Sequence, residues 1–499
     1  MKRWWLAIIL CWMSFQAMAE VRVVYHLSEG IAQASRAMNN IRNHLEADPD
    51  VKICMQILHS GPIAYTQDCV GPSPVKSRIG AYTPRELDED GIEEQIAAFA
   101  NCAALAKQAG YDGVEIIGSA GYLISTFLVQ KTNLRTDRWG GSWENRMRFP
   151  VEVVRRVRAA VGPDFILVFR ISAMDMLQEG LAWDEVVSLA KALEAEGIDV
   201  ISTHFCWHES FVPTIATMVP RAAFAGVTGR LKKELSIPLI TSNRINMPDV
   251  AEAVLARGDA DIVSMARPML ADPDLVNKAR TGREDQINTC IGCNQACLDH
   301  TFTGQLTSCL VNARACREVG LNFPAVASPK RIAVVGAGPA GLAFATLAAK
   351  RGHKVTLFDA ASEIGGQFNL AKRIPGKEEF YETLRYFARE IEVTGVELKL
   401  GTRVDAASLK AAGFDEVVIA TGIEPRKPAL DGIDQLAQAD ESTVAVLVQP
   451  VVRVKRLAHP FHGIANVFLL GGQRKVHDEG RLRWAGSPCQ AIHHRVGCR

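Results

Sequence analysis

Short apolar runs alternate along this chain with longer stretches in which apolar residues recur every three or four positions. The runs read as strands: "VRVVYHL" from Val21, "VKICMQILH" from Val51, "YDGVEIIG" from Tyr111, "DFILVFRIS" from Asp164, "IDVISTHF" from Ile198, "IPLITSN" from Ile237 and "ADIVSMARP" from Ala260. The stretches read as helices: "IAQASRAMNNIRNHLEA" from Ile31, "NRMRFPVEVVRRVRAAV" from Asn145, "AWDEVVSLAKALEAEG" from Ala182 and "MPDVAEAVLARG" from Met247. Strand–helix alternation with short connections predicts a parallel sheet covered by helices, and units of this length suit a (β/α)8-type barrel. In such barrels the chemistry sits where strands end. Polar residues gather at those positions: His59, Gly118-Ser119, Arg170, Asn243-Arg244 and Ala266-Arg267. A second α/β pattern starts at Arg331, after the linker-like "FPAVASPK", and clear periodicity is lost from about Asp431.

Composition narrows this little. The chain has 499 residues, enough for more than one domain, with 48% hydrophobic and 22% charged residues. A net charge of +1 provides no basic field for nucleic acid. Twelve cysteines are too few for a disulfide scaffold at this length, so their clustering matters more than their number. The first 19 residues place Lys2 and Arg3 before an apolar run from Trp4 to Trp12 and then Ala17-Met18-Ala19, the layout of a secretory signal. That run is too short to span a bilayer, and no stable membrane association is expected.

Cys290, Cys293, Cys297 and Cys309 form C-x2-C-x3-C-x11-C. Thiolates suit zinc or iron–sulfur. Zinc sites usually show paired C-x2-C knuckles, whereas three crowded ligands and one distant one suit the corners of a [4Fe–4S] cluster better, with merely buried or paired cysteines as the remaining reading. Cys316 falls outside the spacing. Further on, Gly336-x-Gly338-x-x-Gly341 follows a strand and opens a helix, and Asp359 ends the next strand. Glycines there allow a tight turn and close approach of backbone to a pyrophosphate, and the acid accepts from ribose hydroxyls. "SEIGGQF", with Gly366 and Gln367, and "DEVVIATGIEPR" point to FAD rather than NAD. Tyr122, in "GSAGYLI", and His208, in "FCWHES", each lie just past a strand, and such a pair can protonate a developing carbanion. Singly, each is more often a packing or hydrogen-bonded surface group. Arg170, Arg244 and Arg267 end strands of one face, so they suit either an anionic ligand such as a flavin phosphate or solvated and salt-bridged positions.

From about Val51 to about Ile433 the chain resembles the bacterial 2,4-dienoyl-CoA reductases, of the old yellow enzyme group with trimethylamine dehydrogenase. "GYDGVEIIGSAGYLI", "TNLRTDRWGGSWENRMRF", "PTIATMVPRAAF", "INTCIGCNQACL", "TSCLVN" and "AVVGAGPAGLAFA" carry the likeness. The resemblance implies FMN in the barrel, a [4Fe–4S] cluster on the four cysteines, FAD on the glycine loop and NADPH as electron donor. It implies that electrons pass from FAD through the cluster to FMN, and that a dienoyl-CoA thioester of fatty acid breakdown is reduced. Tyr122 and His208 match its proton-donating pair, and Gln56, Arg170, Arg244, Ala266 and Arg267 its flavin contacts. Other enoate reductases, amine dehydrogenases or a fusion without activity are the alternatives.

The ends depart from that family. Residues 20–51, after the leader of residues 1–19, resemble exported DsrE-type domains and stand where the barrel's first strands belong. Pro62 stands where the family usually carries Arg. The expected order is then a partial barrel over 52–283, an iron–sulfur segment over 284–322, a partial FAD-binding domain over 330–433 and a divergent tail over 434–499, with no second glycine loop for NADPH. These departures predict weak turnover. The enzyme body argues for the cytoplasm and the leader for export.

Overall fold

Seven parallel strands hydrogen-bond in chain order: β1 Val23–Tyr25, β2 Ile53–Ile57, β3 Gly113–Gly118, β4 Ile166–Met174, β5 Val200–Phe205, β6 Leu239–Thr241 and β7 Ile262–Val263. The computed structural model describes residues 52–318 and 320–423, together with the backbone of 23–25, 474–475 and 483–484. In it β1 and β7 are the two ends of an open sheet, as expected of a (β/α)8-type barrel without its first strands. The leader, the helix expected from Ile31 and most of the tail lie outside the described residues. Within the tail Arg474–Lys475 pairs antiparallel with Arg483–Trp484. Among the described residues no helix is long and apolar enough to cross a membrane.

Because side chains alternate along a strand, the sheet has two different faces. Val114, Ile116, Leu167, Phe169, Ile171, Ile201 and Leu239 are buried in one core with the helices. These helices are α1 Glu89–Gln108, α2 Arg148–Val161, α3 Trp183–Ala195 and α4 Pro248–Ala256, of which the first three supply that core. The residues between them in sequence face the other way. There Gln56 lies opposite Glu115, Arg170 opposite Ser202, and Ser172 opposite His204. The sheet therefore hides its hydrocarbon under helices and presents a polar inner surface.

Helix α1, the longest of these, was not among the expected elements. Its signal is present: Ile92, Ile96, Phe99, Ala103 and Ala106 are buried at three- and four-residue spacing, and the Asp88 side chain caps it by accepting from the Gly91 amide. Frequent alanines dilute the contrast between its two faces.

The second α/β unit has strands β8 Arg331–Val335, β9 Lys354–Phe358, β10 Glu397–Lys399 and β11 Glu416–Ile419, all parallel, in the order β10-β9-β8-β11. Helix α5 Pro339–Lys350 joins β8 to β9. This is the order of a mononucleotide-binding half, in which the first strand sits between the second and fourth. Helix α6 Phe380–Thr394 turns Phe387 and Ile391 into the core of this unit.

Candidate active site

Left-handed backbone collects at one end of the seven-stranded sheet. Ala120 (φ 67°), Met176 (53°), Cys206 (71°), Asn243 (72°) and Arg244 (58°) lie just beyond the C-terminal ends of β3, β4, β5 and β6. Non-glycine residues held this way cost about 1–3 kcal/mol each and persist where surrounding structure imposes them. This end is where barrel enzymes place their chemistry.

Tyr122 and His208 meet there. The Tyr122 hydroxyl lies 3.0 Å from His208 Nε2. The rings are edge to face, with centroids 5.2 Å apart at 72°. Gly121 (φ 92°) lets the chain turn tightly over Trp207, since a Cβ there would come within 2.9 Å of the indole. The His208 amide donates to the Ala120 carbonyl (3.2 Å). The Trp207 indole N–H donates to Asp175 Oδ1 (2.7 Å), and the Leu181 amide donates to Asp175 Oδ2 (2.7 Å). Asp175 is buried, 4% exposed, and ties the loop after β4 to the loop that carries His208. Burial pushes its pKa up, and the donors from Leu181, Ser172 and Trp207 only partly offset this. Nothing in the sequence marked it beyond an acid after an apolar strand. Asp175→Asn places an amide N–H where a donor already points. It is expected to cost about 1–3 kcal/mol of stability, read from urea unfolding, and to loosen the pair; an unchanged midpoint would contradict this role.

Burial raises the Tyr122 pKa, reinforced by Tyr65 and opposed by Arg170. Burial also lowers that of His208, although its outer edge is exposed. Tyr122 therefore keeps its proton beyond the ordinary tyrosine value of about 10, and His208 stays neutral below the ordinary histidine value of about 6.5. The rate of any step that uses this pair is expected to be level between those limits. A pH profile showing a pKa between about 7 and 9 from either side chain would refute that assignment.

Glu115, 2% exposed, sits on the inner face between two expected site residues. Its carboxylate accepts from the Gln56 amide and from Arg170 Nε (3.1 Å). Glu115 was not among the sequence candidates, though it is the one acid in the apolar run "GVEIIG". It fixes the rotamers of Gln56 and Arg170 and offsets the charge of the latter.

Arg244 and Arg267 take a different course. Arg244 is buried and donates to the Val219 carbonyl (2.9 Å) and to Glu379 Oε1 (2.6 Å). Arg221 grips the same carboxylate at 2.8 and 2.6 Å. The Asn246 amide reaches both Glu379 (3.1 Å) and the Cys290 carbonyl (2.9 Å). Arg267 donates to the Ile215 carbonyl (2.8 Å) and to Asn294, and Ala266 caps its short helix. Both arginines thus join the strand ends to the cysteine segment or to α6.

Cys290, Cys293, Cys297 and Cys309 are half-buried and form no disulfide. Gly292 (φ 65°) and Asn294 (φ 61°) curl the chain around them, and Cys297 lies in a π-helical turn, Gln295–Asp299. Among the described residues no group of three or more His, Cys, Asp or Glu side chains is set to hold a metal. The thiols nonetheless lie within electrostatic reach of one another. Burial raises the Cys293 thiol and pushes Cys309 up to about 11, with neighbouring cysteines adding to both. Backbone amides of Gln295, and of Val311 and Asn312, oppose that by hydrogen bonding to the two sulfurs. Soft thiol donors, two of them with amide N–H groups aimed at sulfur, are the ligand chemistry that an iron–sulfur cluster takes.

On the second unit the expected residues converge. A Cβ on Gly341 would lie 1.9 Å from the Gly336 carbonyl, so helix and strand meet too closely for any other residue. A Cβ on Gly338 would meet nothing within 4 Å, which leaves an open cradle at the N-terminus of α5. Gly366 packs against Gly338, and Gln367 begins the next short helix. Asp359 accepts from the Ala337 amide (2.6 Å) and the Ala361 amide (2.8 Å), so it braces the loop.

Comparison with known proteins gives two matches in register with these parts. Residues 36–286, about half of the chain, match the NADH:flavin oxidoreductase / NADH oxidase family, and residues 330–472 match the pyridine nucleotide-disulphide oxidoreductase family. A metal reductase of Desulforamulus reducens is 44% identical over 76% of this chain and 58% of its own length. An NADH oxidase of Thermoanaerobacter brockii is 38% identical over 77% and 60%. Among solved structures, a 2-naphthoyl-CoA reductase in complex with 2-naphthoyl-CoA is similar with a TM-score of 0.76 and 36% identity, over 80% of this chain and 64% of that one. The chain spans somewhat under two thirds of each of these relatives.

Proposed function

Since this chain belongs to the NADH:flavin oxidoreductase / NADH oxidase family, we propose that it reduces a carbon–carbon double bond conjugated to an acyl thioester, a dienoyl-CoA, with electrons from NADPH. The observation that carries the reading is the Tyr122–His208 contact at 3.0 Å, on the strand-end side of a sheet that also presents Gln56 and Arg170. FMN would be held over Gln56 and Arg170, FAD over the Gly336–Gly341 loop and Gly366-Gln367, and a [4Fe–4S] cluster by the four cysteines. Bound flavin supplies the hydride. Arg170 offers positive charge beside the ring site, anchored by Glu115 so that it needs no reorganisation during the reaction. Hydride arrives at the far end of the conjugated system and the electron pair spreads toward the thioester carbonyl. Tyr122 then gives its proton to carbon: its O–H bond breaks as the C–H bond forms, and His208 steadies the phenolate until solvent restores the proton.

A thioester of CoA also carries phosphates. A cleft against Gly121 and Trp207 is bordered by Lys76, Arg78 and Lys131, with apolar walls including Val129 and Leu177. Exposed Tyr65 and Phe211 stand nearby, the latter under Arg78 at 4.1 Å. Cations around an apolar recess suit an anionic handle on a hydrophobic acyl group. The test mixes dithionite-reduced protein with dienoyl-CoA, a free enoate or a methylamine under anaerobic conditions. Dienoyl-CoA is expected to reoxidise the flavin fastest, whereas equal rates with the free enoate would argue against the thioester.

Anaerobically purified protein is expected to contain about four iron atoms per chain. Cys293→Ala should lower iron while leaving flavin in the barrel. Iron-free, colourless wild-type protein would overturn the cluster assignment.

A further inference from the structure

The inner face of β5 carries two polar groups that the scheme above leaves idle. Ser202 Oγ and His204 Nδ1 are buried without a hydrogen-bond partner, as is Ser119 Oγ just past β3. Buried polar atoms are nearly always paired, so an unpaired set at one place points to a missing partner. The register puts Ser202 opposite Arg170 and His204 opposite Ser172, so both stand on the strand next to the guanidinium. Burial pushes His204 down to about 3, with the charges of Arg170 and His208 acting in the same direction. Its imidazole is therefore neutral and presents one donor and one acceptor. A phosphate would want donors and positive charge, and a hydrocarbon neither. The edge of a ring that alternates N–H and C=O wants both kinds at once.

We infer that His204 and Ser202 are hydrogen-bonding contacts for the pyrimidine edge of the flavin in the barrel, beside Arg170. The inference rests on the flavin reading of the barrel. It adds a neutral recognition group to the cationic one, so the edge is read by shape and hydrogen bonding as well as by charge. The four-residue step from His204 to His208 then spans the boundary between the ring site and the proton-donating pair.

The test titrates FMN into flavin-stripped full-length protein and measures the midpoint potential of the reconstituted barrel flavin. His204→Leu is expected to weaken FMN binding about 10–100-fold and to shift the potential. His204→Asn, which retains a donor and an acceptor, should stay within a few-fold of wild type. Ser202→Ala removes a single atom and gives a smaller loss in the same direction, and it serves should His204→Leu fail to fold. Wild-type protein that takes up no FMN would sink the barrel reading and this inference with it. Wild type that binds FMN, with His204→Leu and Ser202→Ala matching it in affinity and potential, would overturn this inference alone.

Discussion

Tyr122→Phe is expected to slow reduction of the conjugated thioester about 10²–10⁴-fold, the usual contribution of a positioned acid, with flavin reduction by NADPH unchanged. The asymmetry follows from position. Tyr122 stands beside His208 at the end of β3 and is remote in sequence from the glycine loop where the nicotinamide electrons would enter. Phenylalanine keeps the ring, the edge-to-face contact and the burial, so the fold should be unaffected. Stopped-flow measurement separates the two halves of the reaction. If both halves slow equally, or if the second is untouched, Tyr122 is not the proton donor. His208→Gln should have a smaller effect, since in this scheme the imidazole steadies the phenolate rather than giving the proton.

The second large effect concerns stability. Glu379→Ala leaves Arg244, 4% exposed, in a buried setting without its counter-charge. Arg221 loses both bonds to the same carboxylate, and Asn246 loses one. Removing one partner of a buried ion pair typically costs about 3–5 kcal/mol, and a denaturation midpoint within about 1 kcal/mol of wild type would show that the network carries little. The pH dependence follows in sign. Burial alone would raise the Glu379 pKa, but hydrogen bonds and charges from Arg221 and Arg244 outweigh it and the net shift is downward. Its stabilising contribution is thus complete above the unfolded glutamate value of about 4.3 and is lost as pH falls through the lower folded value. The alanine variant should lack that part of the acid transition.

Glu379 also shows where reading the chain stops. "EEFYETLRYF" announces a helix with an acid near its start, which is ordinary for capping and dipole reasons. That the acid serves the barrel's Arg244, 135 residues away, follows only from how α6 docks. Position after a strand left Arg244 and Arg267 open to an anionic ligand or to a salt bridge, and only the packed chain shows their guanidinium groups met by Glu379 and by Asn294 and Ile215. Helix α1 was legible in principle, since its buried positions keep strict helical spacing, but its alanines flatten the signal. Glu115 and Asp175 were missed for a common reason: a single acid in or after an apolar run carries no periodic signature, and its role depends on which donors the neighbouring strands supply.

The sequence by itself determined the local things: alternating strands and helices, the glycine turn, the cysteine spacing, and the presence of a tyrosine and a histidine just past two strands. Each depends on a window of a few residues, where backbone propensity and side-chain period act directly. Tertiary structure decided which of these residues meet. It brought Tyr122 to His208 across 86 positions, set Glu115 between Gln56 and Arg170, and turned His204 unpaired toward the same end. Such contacts depend on strand order, register and the docking of helices, and those are properties of the whole packed chain.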